Sequence, residues 1–188
     1  MWKNAAAAST VEPSGTSNSE LTTADGYVWK YMYTLSTAQV ADFLTADFMP
    51  VTTNATVSAA AVNGAIRHYK VERGGSGYTN NTYTSVAVNG DGASAVVTVV
   101  VSGGAVTSVT STAAGTNYTF ATCDIDAISG IGTPSTSAIV TPIIGPKGGH
   151  GYNAVNELGG FYVMTNTSIA STEGSGDFVV DQDFRRVG

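Results

Sequence analysis

The chain has 188 residues, a length suited to one domain or two small ones that can bury about 70% of the unfolded surface. Only 12% of it is charged, with 8 Lys and Arg against 14 Asp and Glu, for a net charge of −6. So few cations exclude sequence-independent grip on nucleic-acid backbones, and no run approaches the roughly 18 apolar residues of a membrane-spanning helix. The single cysteine, Cys123, excludes an internal disulfide framework.

Met1-Trp2-Lys3-Asn4 and the four alanines after it lack the apolar segment of a signal peptide, so none is expected. The first 25 residues are rich in Ser, Thr, Ala, Gly and Pro, and cannot bury enough to offset their ordering entropy. They are expected to form a mobile arm or to lie on a surface built elsewhere. Tyr27-Val28-Trp29-Lys30-Tyr31-Met32-Tyr33 then reads as a buried strand. Ser36 and Gln39 have the spacing of a capping box, with Leu35 and Val40 as a hydrophobic staple. Val40, Phe43 and Leu44 share one face of the helix that follows, and Pro50 is expected to keep it from reaching Met49.

An internal repeat of 40 residues comes next. Asn63-Gly64-Ala65-Ile66 returns as Gly103-Gly104-Ala105-Val106, Gly75-Ser76-Gly77-Tyr78-Thr79 as Gly115-Thr116-Asn117-Tyr118-Thr119, and Ala87–Gly92 as Ala127–Gly132. The second copy then gains three residues around Pro134, and Ala95-Val96-Val97-Thr98 matches Ala138-Ile139-Val140-Thr141. Each unit reads as strand, Gly-Tyr loop, strand, Gly-x-Gly turn, strand, because glycine supplies positive φ in the turns and β-branched residues fill the strands. Ala95, Val97, Val99 and Val101 make one apolar face that must be covered. Two units are too few for a solenoid, so a compact inserted β-domain is expected over 53–141, with units near 63–102 and 103–141. Residues 1–52 and 142–188 would form a discontinuous flanking α+β core. The fold class is mainly β: antiparallel sheets or a sandwich, with short helices in the flanks.

From Ile143 the character changes again. Ile144-Gly145-Pro146-Lys147-Gly148-Gly149-His150-Gly151 is a glycine-dense loop, and Asn153 to Leu158 reads as a helical turn ended by Gly159. Phe161–Met164 reads as a buried strand and Ser171–Gly176 as a flexible turn. The chain stops at Phe184-Arg185-Arg186-Val187-Gly188 without turn residues, which reads as a truncation.

Chemical motifs are few. The Gly145–Gly151 nest, with Lys147 and His150, invites an anion, but Gly148 stands where a phosphate-binding loop needs Ser or Thr. A structural turn is the simpler reading. Gly75-Ser76-Gly77 lacks the spacing of a nucleophile elbow, and Thr116 replaces Ser76 in the second unit, so Ser76 reads as a turn residue. His68 in a strand and His150 in a loop have no second zinc ligand nearby. Asp124 and Asp126 on one strand face offer a calcium contact without an oxygen-rich loop. Arg67, His68, Lys70 and Arg73 alternate across a strand and form no single patch. Tyr78 and Tyr118 recur at the loop apices: exposed, they would suit a sugar or a protein partner. Folded back, they would hold their own glycines. No catalytic residue, metal or cofactor is assigned.

Several stretches together resemble a known family. Thr22-Thr23-Ala24-Asp25-Gly26-Tyr27-Val28-Trp29-Lys30-Tyr31-Met32-Tyr33-Thr34, Phe48-Met49-Pro50-Val51, Ile144–Gly151, Glu157-Leu158-Gly159 and Asp183–Gly188 are similar to the eighth-gene-product baseplate wedge subunit of T-even-type contractile-tail phages. The likeness is to versions from marine and cyanobacterial myoviruses, and covers most of residues 10–188. Relative to that family the chain lacks sections at both ends, and the β-repeat is an expansion. The resemblance implies a non-enzymatic virion protein, assembled in the host cytoplasm, dimeric in the baseplate and touching neighbouring wedge subunits. It brings no catalytic residues. The alternative is a tail-tip module that binds carbohydrate or receptor through the Tyr78 and Tyr118 loops; a tail-associated glycoside hydrolase is a third reading.

Overall fold

The computed structural model describes residues 1–3 and 7–167. Its first elements are the short strands β1 (Trp2–Lys3), β2 (Leu21–Thr22) and β3 (Tyr27–Trp29), then the helices α1 (Thr37–Phe43) and α2 (Ala55–Ala59). The repeat region supplies β4 (Ile66–Arg73), β5 (Asn81–Ala87), β6 (Asn89–Gly90), β7 (Ala93–Ser102), β8 (Ala105–Thr116), β9 (Ala121–Thr122) and β10 (Ile139–Ile144), and α3 (Ala154–Leu158) follows. Strand makes up 34% and helix 10%, well above the usual share of strand, so the chain is mainly β with antiparallel sheets, as expected.

The sheets explain the repeat. β7 and β8 form a long hairpin through Gly103 and Gly104, both at positive φ, the conformation a tight hairpin turn requires. β7 therefore closes the first unit while pairing with the strand that opens the second. β4, which opens the first unit, pairs with β10, which closes the second. Opening strands thus pair with the closing strands of the other unit in both directions, a reciprocal, pseudo-two-fold arrangement. The loops repeat the pattern. Tyr78 N donates to Gly104 O at 3.0 Å, and Tyr118 N donates to Gly64 O at 3.3 Å. Ser76 bridges to Thr136 as Thr116 pairs with Ala93, so Ser76 takes the turn role its replacement predicts.

This exchange builds one core. Ala95, Val97, Val99 and Val101 are all buried, as their alternation requires, and meet Ile66, Tyr69, Val106, Val109, Ile125, Ile131 and Val140. Each fully buried Val or Ile contributes about 1.5–3 kcal/mol, so the apolar face of β7 alone is a large part of the stability of the repeats. The two units diverge after the tyrosines. Residues 81–87 make the edge strand β5, whereas 121–127 pair only over β9 and then turn inward, burying Cys123 and Ile125. Asp124 and Asp126 accordingly lie outside any strand, not on a shared strand face.

Contacts divide the described residues into two units, one within residues 1–34 and 51–160, the other of 35–50 and 161–167. The expected boundaries at 52/53 and 141/142 are not where this division falls, since β10 runs across 141/142. In the first unit, Asp25 gathers the N-terminal stretch: Ser9 Oγ, Thr10 N and Val11 N donate to its carboxylate at 2.7, 2.9 and 3.1 Å. The arm also reaches the repeats, where the Trp2 ring stacks on His68 with centroids 5.7 Å apart. That is the surface-bound version of the expected arm.

The run Tyr27–Tyr33 forms a strand only over Tyr27–Trp29, because its partners β1 and β2 are two residues each and offer no ladder further on. The second unit holds α1, whose capping box is complete: Ser36 Oγ accepts from Gln39 N at 3.2 Å and Gln39 Oε1 accepts from Ser36 N at 2.8 Å. The helix stops at Phe43, well before Pro50, and buries none of its residues. A turn closed by Thr45, whose Oγ1 accepts from Phe48 N at 2.9 Å, follows it. Phe161–Met164 is no strand: it pairs with none among the described residues and Phe161 is 73% exposed. The helix α2 was not anticipated. Asn54 caps it by accepting from Thr56 N and Val57 N, and Val57 anchors it in the first unit at 1% exposure. The turn expected at Ser171–Gly176 and the segment Asp183–Gly188 lie outside the described residues.

Candidate functional site

Tyr78 and Tyr118 are both 4% exposed, so neither ring is offered to a sugar or a partner, and both are withdrawn as surface contacts. The cause is the glycine-rich apex. A Cβ on Gly75 would come 2.8 Å from Tyr78 Cε2 and 2.5 Å from Thr136 O; one on Gly115 would come 2.7 Å from Tyr118 Cε2 and 2.6 Å from Ala93 O. Glycine lets each ring fold back under its own loop and reach the other unit. Ala138 N donates to Tyr78 Oη at 2.6 Å, and Ala95 N donates to Tyr118 Oη at 3.2 Å. Ala95 and Ala138 are the matched residues of the two repeats, so each tyrosine pins the closing strand of the opposite unit.

Asp126 is the principal addition in the second copy. It accepts from Tyr78 Oη and, at 2.6 Å, from Ser137 Oγ, and these two hydroxyls hold its carboxyl below the usual range. Burial, then the Asp126 bond, pushes the Tyr78 phenol up, so the phenol keeps its proton and donates. The calcium contact drawn from Asp124 and Asp126 has no support from this geometry. Among the described residues, no group of three His, Cys, Asp or Glu side chains is placed to hold a metal ion.

The Gly145–Gly151 loop spends its amides within the protein. Gly145 N donates to Ala65 O at 3.2 Å, Gly148 N to Asn63 Oδ1 at 2.8 Å, Gly149 N to Pro146 O at 2.8 Å and Gly151 N to Glu157 Oε2 at 2.8 Å. A nest whose donors are engaged has little left for an anion, and the structural turn is what forms. Lys147 points out as an exposed residue on the rim of a shallow hollow that also includes Tyr152 and Asn156. His150 is partly buried, and its Nδ1 pairs with Glu157 Oε1.

The fold brings His68 and His150, 82 residues apart in the sequence, to the walls of one cleft of about 210 Å³. Glu20, Lys30, Arg67 and Gly145 also line it. Arg67 Nε lies 3.0 Å from Glu20 Oε1 and His68 Nε2 lies 3.7 Å from Glu20 Oε2. Arg67 and His68, expected on opposite strand faces, therefore converge on one carboxylate. Lys30 donates to Asn18 O. Burial holds His68 below its ordinary value despite the pull of Glu20, so it is neutral at pH 7. No local spacing announces this cluster, because its members come from the N-terminal stretch, β4 and the glycine loop.

The second unit presents a different surface. Phe161, Tyr162 and Val163 are 73%, 86% and 90% exposed in succession, and Phe48 and Met49 exceed half. Scattered apolar residues on a surface are ordinary, whereas three large ones this open in succession are not. Comparison with protein-family models, curated proteins and solved structures finds no match.

Proposed function

We propose that the chain is a structural subunit of a contractile-tail phage baseplate, acting through protein–protein contacts with neighbouring wedge subunits and with a second copy of itself. The observation that carries this reading is the open apolar run Phe161–Val163, together with Phe48 and Met49. Leaving such side chains in water forgoes about 1.5–3 kcal/mol each, which assembly would recover. Phe48 and Met49 also belong to the stretches that resemble the wedge family, so the resemblance includes exposed side chains as well as core ones. The repeat region fits a rigid spacer in this reading, since its tyrosines and glycines are spent on locking two units together.

Immunogold labelling of intact virions that carry the gene tests the proposal. Gold at the distal end of the contractile tail is expected. Gold on the capsid, or none on virions whose baseplates are accessible, would overturn it.

A further inference from the structure

We infer that the hollow beside Tyr152 binds a pyranose ring of a glycan. Its volume of about 850 Å³ lies within the ~300–1,000 Å³ of small-molecule sites. Hydrogen bonds fix its frame. Tyr152 N donates to Gly149 O at 3.2 Å, Ser58 Oγ donates to Tyr152 O at 2.9 Å, and Gly148 N donates to Asn63 Oδ1 at 2.8 Å. Gly148, at positive φ, lies against one side of the Tyr152 ring: a Cβ there would collide with Cδ1 and stand 2.6 Å from Cγ. The ring is thereby held in place, yet Tyr152 remains 55% exposed and lines the hollow. An aromatic anchor ordered before binding loses little freedom when a ligand arrives.

The tips of the lining side chains are open. Among the described residues, Tyr152 Oη, the Asn156 side-chain amide and Lys147 Nζ have no hydrogen-bond or ion-pair partner, although Asn156 N is held by Asn153 Oδ1 at 3.0 Å. Glu157, the one carboxylate on the wall, is committed to His150 Nδ1 and Gly151 N. The hollow therefore presents a flat apolar ring, an amide and a phenol that both donate and accept, and an ammonium that donates. A pyranose has the matching chemistry: a face of C–H bonds to lie on the ring, and a rim of hydroxyls that donate and accept. A phosphate ligand would call for more than one cation and for free loop amides, whereas Lys147 stands alone there and the amides are engaged. An apolar peptide anchor would call for large apolar walls, and those of the hollow are Ala59, Ala61 and Pro146. Tyr152 lies outside the repeat and has the exposure that Tyr78 and Tyr118 lack. The site is independent of the apolar surface assigned to assembly.

Saturation-transfer NMR on the intact chain tests this inference. The probes are the methyl glycosides of glucose, galactose, mannose and N-acetylglucosamine, with glycerol as a polyol that has no ring face. At least one glycoside should receive saturation at its ring C–H protons, in a response that saturates on titration and that glycerol does not give. Tyr152→Ala should weaken that glycoside at least tenfold, and Tyr152→Phe and Asn156→Ala about threefold each. Phe120→Ala, which removes an exposed ring outside the hollow, should leave binding unchanged. A wild-type chain that binds none of the four better than glycerol overturns the site, whether or not Tyr152→Ala folds. Binding that survives Tyr152→Ala, or that Phe120→Ala weakens equally, would overturn it too.

Discussion

In the first repeat unit the Tyr78 hydroxyl crosses to Ala138 and also meets Asp126; in the second, the Tyr118 hydroxyl crosses to Ala95 and donates to Val88 O at 3.4 Å. The backbone plan of the two loops is the same, down to the positive φ of Gly75 and Gly115. Gly77 in the first loop becomes Asn117 in the second, and both keep positive φ, because Asn is among the few side chains that tolerate that region. The halves differ where the ring's partners are chosen. A carboxylate strengthens the first contact, and a backbone carbonyl serves the second. Glycine geometry is the shared requirement of the fold, while the hydrogen bonds at the hydroxyl are free to drift.

The largest effect should come from the shared element. Gly75→Ala and Gly115→Ala each force a Cβ into backbone at positive φ, and each should cost on the order of 3 kcal/mol in urea unfolding. Comparable losses would confirm equivalence of the loops, and a loss in one under half that in the other would break it. Tyr78→Phe and Tyr118→Phe should each cost about 1–3 kcal/mol, since Ala138 N and Ala95 N lose their acceptor. Tyr78→Phe should cost more at pH 7, because Asp126 also loses a donor. The folded Asp126 carboxyl lies below its ordinary 3.8, so its contribution is present above that pH and fades as pH falls through the lowered value. The gap between the two variants should narrow in the same window, which melting curves from pH 7 to about pH 2 would show.

Smaller effects sharpen the contrast between the loop partners. Asp91 accepts from Thr119 N at 2.9 Å and Phe120 N at 3.1 Å, while the matching residue Ile131 accepts from Thr79 N through its carbonyl at 2.8 Å. The Thr119 hydroxyl, then the Phe120 and Thr119 amides, hold the Asp91 carboxyl down to about 2. Asp91→Asn should therefore flatten the fall in melting temperature between pH 3.8 and about 2, leaving no comparable change near Ile131. Cys123, matched with Tyr83 in the other unit, should show no stability effect of its own labelling chemistry until the protein opens. Burial, helped by Asp124, pushes its thiol up to about 11, so thiol reagents at pH 8 should label it only at the rate of unfolding.

Much of the repeat fold was legible in the sequence, because alternation and glycine placement act locally. The buried face Ala95–Val101, the cap at Ser36 and the left-handed Gly159 all follow from nearest neighbours. Strand exchange between the units was not legible, since a repeat says that two pieces are alike and not which strands pair. Phe161–Met164 misled for a related reason: apolar β-formers signal a strand only where a ladder is at hand. The Tyr78 and Tyr118 rings carried two readings, and only the distance to Ala138 and Ala95 separated them. The cleft of His68 and His150 was hidden altogether, because contacts between distant segments leave no spacing to read.

Sedimentation velocity of the purified chain across a wide concentration range tests the adhesive role most directly. The account predicts a dimer that weakens at least tenfold when Phe161 and Tyr162 are both changed to Ser. A wild-type chain that stays monomeric at every concentration, or a dimer indifferent to that change, would contradict it.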